Sequence, residues 1–347
     1  MPLSRRAFVK SAAFAGLAGA LGAATARVRG ASHDQHSQAA DKVRAMSSHT
    51  TGHGGNGVVG TTRTDDFDPY AFLSDFDYGK VVEERADGSK VREYTIVAED
   101  KEIEIAPGIM FPAWTFNGQV PGPTLRATEG DHIRIHFINN GTHPHTLHFH
   151  GIHDDVMDGV PGVGVGEIAP FGGEFTYEFE AEPHGVHLYH CHALPLKRHM
   201  HKGLYGAYIV DPKDGWATGD ANEMTMVMNA FDTTFDGENE VYAVNSKAFC
   251  YQHKPIRIKV GELQRIFLVN ATEFDPVNSF HLHANFFNYW PIGHESNTPT
   301  FTDIVSLIQA DRGRLEFKFD RPGKFMFHAH QAEFTELGWM GHFEVVP

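Results

Sequence analysis

The sequence predicts an all-β protein built from two tandem β-sandwich domains, on three observations. Runs such as Ile133-Arg134-Ile135-His136-Phe137-Ile138 and Phe175-Thr176-Tyr177-Glu178-Phe179 alternate at period two between Gly and Pro punctuation, the pattern of half-buried strands. The same order of motifs occurs twice along the chain. A length of 347 residues allows two domains and a leader.

Taken in order, Ser4-Arg5-Arg6-Ala7-Phe8-Val9-Lys10 and the Gly- and Ala-rich apolar stretch to Ala26, with Ala24-Thr25-Ala26, read as a twin-arginine export signal over residues 1–30. The stretch is too short and too small-residued for a membrane span, so the expected location is periplasmic or extracellular, with no membrane partner. Residues 31–64 are rich in Ser, Gly and His without apolar periodicity and read as a flexible arm. Its histidines at 33, 36, 49 and 53 are irregularly spaced, as in a solvated linker.

The first domain is expected over residues 65–214 and the second over 215–347, joined near Asp211 to Asp220. In the first, Pro123 to Gly130 leads to a β run, then His148-Phe149-His150, Phe175 to Phe179, Pro183 and Tyr189-His190-Cys191-His192. In the second, Pro255 to Glu262 precedes a β run, then His281-Leu282-His283, Leu315 to Phe319, Pro322 and Phe327-His328-Ala329-His330. Met224, Met226 and Met228 alternate on one strand face and read as core.

A composition of 41% hydrophobic and 21% charged residues is globular, and a net charge of -15 argues against a nucleic-acid partner. Exported proteins favour disulfides. With only Cys191 and Cys250 present, and Cys191 inside a histidine motif, a disulfide framework is not expected; Cys250 reads as a buried free thiol.

With 24 histidines in the chain, chance predicts about two His-x-His pairs, whereas six occur and four sit at matching places in the two repeats. Side chains alternate across a strand, so both imidazoles of each pair face one side. His148, His150, His190 and His192 can therefore face one metal cluster, and His281, His283, His328 and His330 can complete it. Cys191 and His145 have the opposite parity and can share another metal. A thiolate with two imidazoles and a weak axial ligand is the blue-copper donor set. For its third donor, His199, Met200 and His201 compete.

His190-Cys191-His192, then His199, then Gly203-Leu204 resembles the multicopper oxidase pattern, in which a His follows the Cys and an axial residue stands five positions further on. The resemblance spans roughly Arg92 to Val346 and is nearest to the two-domain, laccase-like subgroup with type 1 copper in the first domain. It implies two cupredoxin-like Greek-key sandwiches and four coppers per functional unit. Type 1 copper would take His145, Cys191 and His199, with Leu204 at the axial position. Type 2 would take His148 and His281, and the type 3 pair His150, His190, His192, His283, His328 and His330. A phenol, aromatic amine or metal-ion reductant would then give electrons one at a time through Cys191 to His190 and His192, and four would reduce dioxygen to water.

Many relatives carry Met at the position of Leu204, and loss of the thioether raises the reduction potential. Asn278 and Ala329 replace His145 and Cys191 in the second repeat, so only one type 1 site is expected. Met157-Asp158-Gly159-Val160-Pro161 resembles the family segment whose Asp supplies protons, which points to Asp158; Glu333 is a second candidate, acting on a ligand histidine. His143, His153 and His201 read as incidental neighbours. The rival function is a copper nitrite reductase, which resembles the chain in its two domains and Tyr-His-Cys segment but needs three histidines at its second copper. A copper-storage protein or a zinc hydrolase would not need the repeat-symmetric pairs. Resemblance to ring-forming two-domain relatives implies a homotrimer with clusters between subunits.

Overall fold

The computed structural model describes residues 67–347; the expected export signal and the His-rich arm lie outside the described residues. The fold is all-β, as expected. The first repeat contains β1 (Phe76–Asp77), β2 (Lys80–Glu84), β3 (Lys90–Ala106), β4 (Ile109–Phe116), β5 (Thr124–Thr128), β6 (His132–Asn139), β7 (His148–Phe149), β8 (Gly173–Glu180), β9 (Gly185–His190) and β10 (Tyr205–Asp211). The second contains β11 (Asn222–Phe231), β12 (Val241–Val244), β13 (Ile256–Lys259), β14 (Gln264–Asn270), β15 (Val277–Leu282), β16 (Phe287–Pro291), β17 (Thr300–Thr302), β18 (Ile304–Ile308), β19 (Arg312–Phe317), β20 (Gly323–His328) and β21 (Met340–Val346). Among the described residues the strands are accompanied by four short α-helices, α1 (Pro69–Leu73), α2 (Leu196–His201), α3 (Cys250–His253) and α4 (Ala332–Glu336), and a 3-10 turn at Asp155–Met157.

Each repeat is a pair of sheets. In the first, β1-β5-β10-β9-β7 faces β2-β3-β6-β8, with β4 paired to β3; in the second, β13-β21-β20-β15-β18 faces β12-β11-β14-β19-β16-β17. The pairing pattern repeats. β5 and β13 run parallel to β10 and β21, and β3 and β11 run parallel to β6 and β14. Strand β6 shows why these residues form strands: Ile133, Ile135 and Phe137 are fully buried while the intervening His132, Arg134 and His136 are not.

Three apolar clusters hold the molecule together. One fills the first sandwich, around Ile96, Phe116, Phe137, Tyr189, Cys191 and Leu204, and another fills the second, around Met224, Met226, Met228, Phe280, Phe327 and Trp339. The methionines expected in the core are there. The third lies between the repeats, where Leu188, Tyr205, Ala207 and Ile209 of the first meet Val227, Phe231, Phe267 and Val269 of the second. Among the described residues, no helix is long and apolar enough to cross a membrane.

Candidate metal centre

The described residues bring Cys191, His145 and His199 together in a fully buried group. Cys191 Sγ is 3.2 Å from His199 Nδ1 and 3.9 Å from His145 Nδ1, and the two Nδ1 atoms are 3.2 Å apart. Several elements place them. Cys191 follows the end of β9, His145 sits on an isolated bridge to Ile168, and His199 lies on α2, which starts after Pro195. The backbone of Leu204 ties two of them: its carbonyl accepts the Cys191 N–H at 3.0 Å, and its N–H donates to the His199 carbonyl at 3.2 Å.

Leu204 shares the apolar core of Cys191, whereas Met200 packs in the core between the repeats. His201 turns to the Asp232 carbonyl instead. Of the three residues that competed for the third position, His199 is therefore the one in place.

Burial sets the protonation of this group. It pushes the Cys191 thiol up to about 11 and the imidazoles of His145 and His199 down to about 3 and about 4, with His143 adding to the depression of both and His199 to that of His145. Without metal the site is therefore neutral. A bound cation would draw the proton off the thiol, since coordination deprotonates cysteine outright.

A second group joins His148, His150 and His190, and a third joins His281, His283 and His328. His150 Nε2 lies 3.2 Å from His190 Nε2, and in the other repeat His283 Nε2 lies 2.8 Å from His328 Nε2. Ring contacts add His192 to the second group and His330 to the third.

The remaining nitrogens are anchored in matching ways. His148 Nδ1 faces the Asp158 carbonyl and His281 Nδ1 the Asp303 carbonyl, each at 2.8 Å, while His190 Nδ1 faces the Cys191 carbonyl and His328 Nδ1 that of Ala329. Such anchors fix the tautomer and free Nε2 for a ligand. His192 Nδ1 is buried without a hydrogen-bond partner. An orphaned buried imidazole nitrogen, nitrogen pairs at contact distance and a buried thiol beside two imidazoles fit copper as the resident metal.

Asp158 stands beside this group, with Oδ1 3.2 Å from His148 Nδ1 and 3.8 Å from His153 Nε2. Glu333 is exposed on α4, and it is Thr335 whose Oγ1 lies 3.1 Å from His328 Nδ1. Sequence reasoning missed further contacts. Thr146 donates its N–H toward Cys191 Sγ at 3.3 Å and accepts the His192 N–H on Oγ1, and Ser279 Oγ accepts the His330 N–H in the same way. A signal existed, since Thr146 and Ser279 each stand two residues before the matching motifs that begin at His148 and His281. Trp114, which packs against His143, His145 and His199 at 4.5, 5.2 and 4.9 Å between ring centroids, carried none.

In the second repeat the counterpart of the thiol site is filled. Ala329 replaces the cysteine, and its N–H donates to Trp339, the counterpart of Leu204. The fully buried Trp339 indole donates to Asn278 Oδ1 at 3.1 Å. No metal group is formed there among the described residues. Cys191 and Cys250 are both free and buried.

Two sequence profiles described as multicopper oxidase match residues 98–215 and 217–347. A crystal structure of a multicopper oxidase is 55% identical, with a TM-score of 0.77, over 80% of this chain and 97% of that one. The blue copper oxidase from Nitrosomonas europaea is 30% identical with a TM-score of 0.67, over 73% of this chain and 85% of that one. The copper-containing nitrite reductase of Neisseria gonorrhoeae is 29% identical over 255 residues, 67% of this chain and 62% of that protein. The chain thus spans less than two thirds of that reductase. The chain belongs to the multicopper oxidase family, and its fold is the tandem cupredoxin-like fold of that family.

Proposed function

We propose that the protein is a laccase-like oxidase that takes single electrons from a small reductant and passes them to dioxygen. His145, Cys191 and His199 would hold the mononuclear copper, and the eight histidines of the four paired motifs would hold a cluster of three. Bound copper supplies the one-electron chemistry and the binding of dioxygen. The observation that carries the reading is that both repeats keep two His-x-His units with matching anchors, although only the first has a cysteine between paired histidines.

The chain contributes connection, orientation and protons. Cys191 is joined by peptide bonds to His190 and His192, so a covalent path links the thiol site to the histidine cluster. Asp158 holds His148 by its carbonyl and keeps a carboxylate within 3.2 Å of the same ring, where it can deliver protons. The phenol, aromatic amine or metal ion that serves as reductant belongs to this proposal, as do twin-arginine export and a periplasmic or extracellular site of action.

No donor group among the described residues draws histidines from both repeats. We propose that the two half-clusters meet across subunits, in a homotrimeric ring with the cluster at each boundary.

Nitrite reduction is the second reading, favoured by the similarity to the Neisseria reductase. Its second copper would use three histidines and leave the other paired histidines without a role. An oxygen electrode with a phenolic reductant, run beside an anaerobic assay with nitrite, separates the two: oxygen uptake without nitrite consumption is expected, and the reverse would replace this reading with the reductase.

A further inference from the structure

The sheet face bearing His281, His283 and His328 continues beyond them. Pairing sets His281 opposite His328 and His328 opposite Met340. One step along, the His283 N–H donates to the Met326 carbonyl, and Met326 stands opposite His342. Two rows therefore cross β15, β20 and β21: His281, His328 and Met340, then His283, Met326 and His342. The alternate residues Leu282, Phe327 and Phe343 point into the core of the second sandwich, so the six side chains share the outward face. Met326, Met340 and His342 are the three that the cluster does not use.

All three are half-buried. Nδ1 of His342 is buried with no hydrogen-bond partner. The Gln252 backbone lies against the same ring. A buried imidazole with a lone pair free on one nitrogen is the form in which histidine binds a metal.

The first repeat supplies a control. There His190 stands opposite Tyr205, the His150 N–H donates to the Leu188 carbonyl, and Leu188 stands opposite Ala207. Tyr205, Leu188 and Ala207 thus occupy the places of Met340, Met326 and His342, and all three lie in the core between the repeats. A face that needs only apolar cover is built from such residues. Two thioethers around an imidazole with an unpaired nitrogen is a different chemistry.

We infer that Met326, Met340 and His342 form a cuprous-ion site on the second-repeat sheet, bordering His283 and His328. Met326 and His342 stand directly opposite, where Cβ atoms start about 4.5–5.5 Å apart, and Met340 lies diagonal to Met326, about 7–8 Å away and within reach of a long side chain. Neutral, soft sulfur donors with one imidazole suit Cu⁺ over divalent metals. Binding alone is proposed, with no change of oxidation state, and it does not depend on the oxidase reading.

The test is an anaerobic titration of the full-length, copper-replete protein with Cu⁺ against a chromogenic cuprous chelator. The wild type is expected to withhold a further Cu⁺ beyond its resident copper. Met326→Leu/Met340→Leu and, separately, His342→Gln should weaken that capture about tenfold or more, while the visible absorption and oxygen uptake measured on the same samples stay unchanged. Met224→Leu, altered in the core, should retain it. No additional capture by the wild type, equal capture by both variants, or loss in Met224→Leu would overturn the site. A protein lacking visible absorption would fail as an oxidase while the titration still read this site.

Discussion

Cys191 is the residue on which the two sites converge. Its sulfur belongs to the buried group with His145 and His199, and its carbonyl anchors His190 in the neighbouring group. The sequence made this legible, because a cysteine between two histidines on a strand must present opposite faces. The choice among His199, Met200 and His201 was legible only through family resemblance, since it depends on how α2 folds back after Pro195. Two substitutions test the residue-level account. Leu204→Met should keep the visible absorption but lower the reduction potential of the mononuclear site, read by redox titration of that absorption; an unchanged or higher potential would count against Leu204 as the axial neighbour. Asp158→Asn should slow oxygen consumption about 100-fold while leaving anaerobic bleaching by the reductant intact, and equal slowing of both would make Asp158 a purely structural residue.

At the scale of elements, short strands bring together the side chains that parity assigned to one face. β7 is only His148–Phe149, and β9 stops at His190, yet the pairing continues through the His150-to-Leu188 and Cys191-to-Leu204 bonds and preserves the alternation. His145 is not on that strand at all; its bridge to Ile168 holds it on the thiol side. Thr146 and Ser279 could have been found from their equal offsets. Asp303 could not, because it stands 22 residues after His281, at the bend between β17 and β18, whereas Asp158 lies ten residues after His148. Packing at the counterpart of the thiol site in the second repeat also makes a prediction. Trp339→Ala, which empties a fully buried indole, should cost about 3–5 kcal/mol in urea unfolding without changing visible absorption; a cost below about 1 kcal/mol would show that the indole does not fill that space.

These elements also fix a pH dependence. Burial, with neighbouring imidazoles, lowers His145, His150 and His190 to about 3 and His199 to about 4 from an ordinary 6.5. The folded metal-free chain then keeps these rings neutral at pH values where the unfolded chain is already protonated. Their contribution is present above pH 6.5 and is lost as the pH falls toward 4, at most about 1.4 kcal/mol per pH unit for each ring. Urea midpoints of the metal-free protein should fall steadily across that window, and a flat profile would contradict the burial of these imidazoles.

For the whole molecule, duplication explains both what was readable and what was not. Two sandwiches with the same parallel and antiparallel pairings follow from two matching orders of motifs. The core between the repeats was invisible in the sequence, because Leu188, Tyr205 and Ala207 look like any strand residues until their outward face meets Val227 and Phe267. The histidines of each repeat form separate groups, and the proposed ring would bring them together across a subunit boundary. Light scattering should give the mass of three chains under conditions of full activity, and an active monomer would remove the ring. The partition of copper between a thiol site and a histidine cluster is tested most directly by metal analysis of wild type and Cys191→Ser side by side. The account predicts four coppers per chain falling by one, with loss of the intense thiolate-to-copper absorption; two coppers per wild-type chain, or absorption that survives the substitution, would contradict it.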